Sequence, residues 1–176
     1  VERQGGSVWR EYVSLVAAAL AVAALLVTFV GQPFVVEGSS MEPSLQQGER
    51  LVVSKVAYRF GRPSRGDIVV FRSPFDRRVR FIKRVVGLPG ETIAIRDGQV
   101  WIDGRSLSEE YLTDVTLGEF GPERVPPGRL FLLGDNRSNS RDSRYPEVGF
   151  ISVRELVGKA VAVYWPPGLA GAVESR

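Results

Sequence analysis

Three places in the chain carry side chains with reactive potential. The first is Lys83, in the run VRFIKRVV at 79–86. Side chains of a strand alternate between faces, so Val79, Phe81, Lys83 and Val85 share one face and Arg80, Ile82, Arg84 and Val86 the other. Lys83 is then the only polar residue on an apolar face, with the arginines opposite. An amine pressed into apolar surroundings loses hydration of its charged form, and its pKa falls. A fall from about 10.4 to about 8 costs roughly 3 kcal/mol and yields a base usable near neutral pH. The alternative is a side chain whose stem is packed and whose ammonium reaches water. The second place is Gly38-Ser39-Ser40-Met41-Glu42-Pro43-Ser44-Leu45. Pro43 fixes its own φ and biases Glu42 away from helix. A Ser in a constrained, Gly-flanked loop can present its hydroxyl to a carbonyl, with main-chain N–H groups nearby to take an oxyanion. Its plainer alternative is an ordinary polar loop. The third place is GDNRSNSRDSR at 134–144, which follows an apolar strand. It suits a solvated loop of Asx turns and local ion pairs. It equally suits a shell of hydroxyls and carboxylates that orients the Lys and braces the Ser loop.

Composition narrows the chemistry. The chain has no Cys and no His. A thiol nucleophile, a disulfide, a thiolate or imidazole metal site and a Ser-His-Asp triad are therefore excluded. Acid–base work near neutral pH falls to a carboxyl, a Lys or a Tyr with a displaced pKa. Lys55, Lys83 and Lys159 are the only lysines among 23 basic residues, and Arg is a poor base. No Gly-rich phosphate loop leads from a strand into a helix, so no metal, nucleotide or other cofactor is expected. The net charge of +3 gives no reason to expect nucleic acid. With 176 residues, 44% hydrophobic and 24% charged, the chain suits one packed domain or one domain with a small insertion.

Those residues must be positioned by two kinds of element. From Val13 to Val30 the sequence VSLVAAALAVAALLVTFV has no charge, Pro or Gly. As a helix it reaches about 27 Å, close to a hydrocarbon core of roughly 30 Å. Trp9 and Tyr12 at its upstream edge suit an interface. A cleaved signal peptide would be shorter, and a buried core helix would show a polar stripe. Arg3 and Arg10 precede the run, with Glu2 and Glu11 against them, and Glu37, Glu42 and Glu49 come before the first downstream Arg. This places the N-terminus inside. The remainder reads as short strands: 51–58, 67–71, 79–86, 91–95, 99–102, 129–133 and 159–165, punctuated by Gly, Pro and Asp turns. The stretch 106–125 reads as loop, and the tail after Trp165 as a disordered end.

Taken together, QPFVVEGSSMEPSLQQGERLVVSK (32–55), RGDIVVF (65–71), RFIKRVVGLPGE (80–91) and FLLGDNRSNSRDSR (131–144) resemble the bacterial type I signal peptidases, or leader peptidases. The stretches occur in that family's order behind a membrane anchor. The resemblance implies a mainly β fold: an antiparallel β catalytic domain with a small inserted β subdomain, preceded by one N-terminal transmembrane helix. Residues 1–11 would be cytoplasmic, 12–31 the membrane helix, 32–165 the extracytoplasmic catalytic domain with its insertion at about 92–127, and 166–176 a tail. It implies a serine endopeptidase of the plasma membrane that removes signal peptides from exported preproteins. Ser40 matches the nucleophile and Lys83 the general base. Ser140 matches the hydroxyl that orients Lys83, Asp142 and Arg144 a supporting ion pair, and Asp135 another support. Phe34, Val36, Met41, Leu45, Phe81 and Ile82 match the walls of shallow substrate pockets. The implied partners are preprotein signal peptides, membrane lipid and the protein-export translocase. Some members carry a Ser two positions before the nucleophile. This chain has Gly38 there, so the oxyanion hole rests on main-chain donors, mainly the Ser40 N–H. The alternatives are a Ser/Lys autoprotease of the SOS-repressor type, which would carry a DNA-binding helix pair and no span, and a membrane-tethered β domain that binds without cutting.

Overall fold

A computed structural model describes residues 5–29 and 31–173, with side chains described for 9–22 and from 31 onward. Helix α1 runs Gly5–Phe29. Its Ala- and Leu-rich middle favours helix, and Gly31, Gln32 and Pro33 end it. Among the described residues no helix is long and apolar enough to cross a membrane. The span expected at 12–31 lies partly outside them, as do the start of the expected segment 1–11 and the end of the tail.

The rest is antiparallel β. In chain order come β1 (Gly31–Val35), β2 (Arg50–Ser54), a short helix α2 (Ala57–Phe60), β3 (Ile68–Arg72), β4 (Arg80–Gly87), β5 (Thr92–Arg96), β6 (Gln99–Ile102), β7 (Arg105–Ser106), β8 (Phe120–Arg124), β9 (Arg129–Leu133), β10 (Ile151–Ser152), β11 (Leu156–Trp165) and β12 (Gly171–Ala172). The main sheet has the order β1-β2-β11-β3-β4-β9-β10, with β12 beside β11. A second sheet, β7-β6-β5-β8, is inserted between β4 and β9.

Burial explains the arrangement. Ile68 and Val70 of β3 pack with Met41, Leu45, Leu51 and Val53, whereas Val69 and Phe71 pack with Val85, Leu130 and Leu132. β3 is thus covered on both faces, as its continuous apolar run suggests. Val86, Phe131 and Leu133 of the main sheet join Ile93, Ile95 and Val100 of the second in a third cluster that fixes one sheet to the other. Each such side chain contributes about 1.5–3 kcal/mol on burial.

The structure departs from the sequence reading at several points. β2 stops at Ser54, because the chain turns through α2 and Tyr58 donates its hydroxyl to Asp67 at 3.0 Å. β1 was hidden by Pro33, which has no N–H. The strand lies at the sheet edge, where a missing donor is tolerated. Part of the loop expected at 106–125 is β8, which pairs with β5 and packs Phe120 on Phe131 with ring centres 4.7 Å apart. The tail is ordered through Val173, since Gly171 and Ala172 pair with β11 and the Val173 N–H donates to the Val161 carbonyl at 3.0 Å. Pairing of this kind uses the main chain, so composition does not reveal it.

Candidate active site

Lys83 sits in β4 opposite Val69 of β3. On its other side β4 pairs with β9 only from Arg84 onward, because the chain leaves β9 after Leu133 to form the loop 134–144. That departure opens a gap beside Lys83. The loop between β1 and β2 fills it. The base of this loop is closed by Val36 N–H to Glu49 carbonyl at 2.8 Å and Gly48 N–H to Val36 carbonyl at 2.9 Å. Met41 and Leu45 point inward and are fully buried, pinning the loop on both sides of Glu42 and Pro43. Gly38 takes φ +81°, a conformation L side chains rarely adopt, and so turns the chain into the loop.

The result brings Lys83 Nζ to 2.7 Å from Ser40 Oγ. Nζ also donates to the Ile82 carbonyl at 3.0 Å and lies 5.8 Å from the centre of the Phe81 ring. Lys83 is only 4% exposed. Burial pulls its pKa down to about 8. Asp142 and Asp135 work against that fall, and Arg144 reinforces it. Lys159 pairs with Asp67 at 2.6 Å, and Lys55 is exposed. Lys83 is thus the buried amine beside a hydroxyl, and the snorkelling alternative does not hold.

The 134–144 loop closes the site. Asn136 N–H donates to the Ser40 carbonyl at 3.1 Å, and Asn139 Nδ2 to Ser39 Oγ at 2.9 Å. A Cβ on Gly134 would stand 2.2 Å from Ser140 Oγ and 2.5 Å from the Ser40 carbonyl oxygen, so only glycine fits there. Asp142 is held by Arg144 through two bonds, Nε to Oδ1 at 2.8 Å and Nη2 to Oδ2 at 2.9 Å, and accepts the Gly134 N–H at 3.0 Å. Asp135 is held by Arg84 at 2.9 and 2.7 Å, with both side chains buried. Alternation puts Arg84 on the face of β4 opposite Lys83. That face is covered as well: Arg84 donates to the Gly66 carbonyl at 3.0 Å and to Ser44 Oγ at 3.2 Å and lies over the Tyr111 ring, and Asp135 neutralises the buried guanidinium.

Ser140 reaches the site but does not hold Lys83. Its Oγ is buried without a hydrogen-bond partner, while Nζ points to Ser40 and Ile82. Beyond the dyad runs a cleft of about 600 Å³. Ser40 and Lys83 lie on it with Phe34 and Val36 on the β1 side and Phe81 and Ile82 on the β4 side. Met41 and Leu45 do not line it. They are core residues, turned inward by the loop they anchor. Among the described residues, residues 80–83 of β4 have no strand partner on the β9 side, and β1 has none on its outer side. Two unpaired stretches of strand backbone thus border the cleft. Among the described residues no cluster of Asp and Glu could hold a metal ion.

Sequence reasoning missed Arg84, Arg137, Glu109 and Asn139 as supports. Arg137 stands within the 134–144 motif, and its spacing there was a usable signal. Glu109 lies in a stretch without periodicity and gave none.

Comparison with known proteins places this geometry in context. Residues 9–165 match the family model described as signal peptidase, peptidase S26. The chain is 40% identical over 173 residues to "Probable signal peptidase I-1" of Synechocystis sp., covering 94% of this chain and 87% of that protein. It is 39% identical over 166 residues to "Signal peptidase I" of Bacillus licheniformis, covering 89% and 88%. It is also similar to a crystal structure of a signal peptidase I from Enterococcus faecalis, with TM-score 0.50 and 38% identity, covering 56% of this chain and 96% of that one.

Proposed function

This chain belongs to the peptidase S26 family of signal peptidases, and from that premise we propose that it is a membrane-bound serine endopeptidase that uses Ser40 as nucleophile and neutral Lys83 as general base to cut signal peptides from exported preproteins. The observation that carries the reading is the 2.7 Å approach of a buried amine to a hydroxyl in a chain that has no imidazole.

The steps follow from that pair. Neutral Nζ takes the Ser40 proton as Oγ attacks the scissile carbonyl carbon. The oxyanion is met by the Ser40 N–H, which donates to no backbone acceptor among the described residues. The ammonium formed at Lys83 passes its proton to the leaving amine as the C–N bond breaks. In the second half Lys83 takes a proton from water, whose oxygen attacks the acyl ester. The C–O bond to Ser40 then breaks, and the proton returns to Oγ. Asp142 with Arg144, and Asp135 with Arg84, hold the loop that closes the site. Ser140 Oγ, buried without a partner beside Gly134, would accept from the ammonium once the reaction forms it.

Substrate is an extended segment. It would add backbone hydrogen bonds to the open stretches of β1 and β4 and seat small side chains against Phe34, Val36, Phe81 and Ile82. The proposed organisation is a cytoplasmic segment 1–11, a plasma-membrane helix over 12–31, an extracytoplasmic catalytic domain over 32–165 with its insertion at about 92–127, and a tail at 166–176. Membrane lipid and the export translocase are then its neighbours. The test is to incubate the full chain in detergent micelles with a preprotein. A single cut after a small residue is expected, and Ser40→Ala and Lys83→Arg should abolish it. Near-normal cleavage by Lys83→Arg would overturn the base assignment, because guanidinium does not give up its proton.

A further inference from the structure

Three arginines beside the dyad reach one stretch of chain outside it. Arg137 donates from Nη2 to Glu109 Oε1 at 2.5 Å and from Nη1 to Glu109 Oε2 at 3.0 Å, and Nη1 also bonds Thr116 Oγ1. Arg84 lies 3.9 Å from the centre of the Tyr111 ring, and the Tyr111 hydroxyl donates to Glu109 Oε1 at 2.5 Å. Arg144 Nη1 donates to the Leu117 carbonyl at 3.3 Å. Residues 109–117 belong to the second sheet's connection from β7 to β8, and the Thr116 N–H donates to the Gly98 carbonyl at 2.9 Å. Each arginine also grips the loop that closes the site: Arg137 through the Gly134 carbonyl at 3.0 Å, Arg84 through Asp135 and Arg144 through Asp142.

We infer that Glu109 is a positioning residue for peptide cleavage: through Arg137 it fixes the 134–144 loop against Ser40 and Lys83. The inference rests on the Ser40/Lys83 reading above. The Arg137 side chain is fully buried, and among the described residues Glu109 supplies the only carboxylate in a salt bridge with it. Burial works against the Arg137 charge, and the bonds and charge of Glu109 outweigh it. Without Glu109 the guanidinium turns toward Asp135, which Arg84 already holds. The Gly134–Asn136 turn then loosens, and with it the Asn136 bond to the Ser40 carbonyl. Displacement of about 1 Å in a catalytic constellation costs about 100-fold in rate.

The experiment uses the full chain in micelles, with preprotein cleavage followed in steady state and folding followed by circular dichroism. Glu109→Gln is expected to lower kcat about 10- to 100-fold, with KM within about two-fold of the parent. Glu109→Asp should recover part of the loss. The double variant with Arg137→Lys should be no slower than the slower single variant, since both act through one bond. Lys83 faces Asp142, Asp135 and Arg144, and a looser loop lets water reach it, so the acid limb of the rate profile moves to higher pH. Full kcat in Glu109→Gln overturns the inference, as does a loss that only tracks the folded fraction. Should Glu109→Gln fail to fold, Thr116→Val removes one Arg137 partner and must lower kcat; an unchanged kcat there overturns the inference equally. Ser40→Ala separates the two layers. If it still cleaves, the dyad reading fails; if it is dead while Glu109→Gln runs at full kcat, only the positioning role fails.

Discussion

Replacing Lys83 by Met should abolish cleavage and stabilise the fold, and pH should decide by how much. Lys83 is 4% exposed and its pKa is lowered from 10.5 to about 8, first by burial. A fall of that size corresponds to about 3 kcal/mol. Below about pH 8 both folded and unfolded chains carry the ammonium, and the folded chain bears the whole cost of drying it. As pH rises from about 8 to about 10.4 the folded chain loses its proton first, the unfolded chain binds more protons, and stability climbs by about 3 kcal/mol. Met fills a similar volume with no charge to dehydrate. At pH 7 Lys83→Met should therefore exceed the parent by about 3 kcal/mol, and by pH 10.5 the gap should close. Urea unfolding of both full chains in micelles at the two pH values reads this directly. A variant less stable than the parent at pH 7, or a gap that stays constant with pH, would show that the amine is not held dry and would remove the basis for a neutral base.

Three further outcomes are expected. The kcat/KM profile should fall about tenfold per pH unit below a midpoint near 8, where Lys83 gains its proton; a flat profile from pH 6 to 9 contradicts the Lys83 role. Asp135→Ala should destabilise by about 3–5 kcal/mol in urea titrations, because it takes the carboxylate from a charged and buried Arg84; a change under about 1 kcal/mol would mean that the bonds Arg84 donates to the Gly66 carbonyl and to Ser44 Oγ suffice to hold it. Gly134→Ala should cost about 1–3 kcal/mol in stability and remove most activity, since the added carbon meets Ser140 Oγ and the Ser40 carbonyl; full activity would mean that this close approach does not set the site.

Much of the site could be read from residue types alone. The lack of His and Cys left a carboxyl, a Lys or a Tyr for acid–base work, alternation along 79–86 put Lys83 on an apolar face, and the family resemblance paired it with Ser40. The same alternation put its neighbour Arg84 on the opposite face but did not give it as a support. Alternation separates two faces but does not say that both are covered, and Asp135, which neutralises the buried Arg84, lies 51 positions away. The resemblance gave Met41 and Leu45 as pocket walls. Only the inward turn of the loop decides that they anchor it instead. Phe34, Val36, Phe81 and Ile82 do border the cleft. The Ser140 role drawn from the family pattern is not visible as a bond, since Nζ finds Ser40 and Ile82. Glu109 was beyond reach. Its partner is 28 positions distant, and nothing periodic surrounds it.

On the reading proposed above, the open rims of β1 and β4 would grip main chain, and main chain is common to every polypeptide. What they discriminate is availability. A finished globular passenger has its ladder bonds satisfied and offers no spare edge to such a slot, whereas a junction still slack beside the bilayer does. Maturation would then be gated by time as well as by residue identity: a passenger that tucks its junction away before meeting the enzyme keeps its leader.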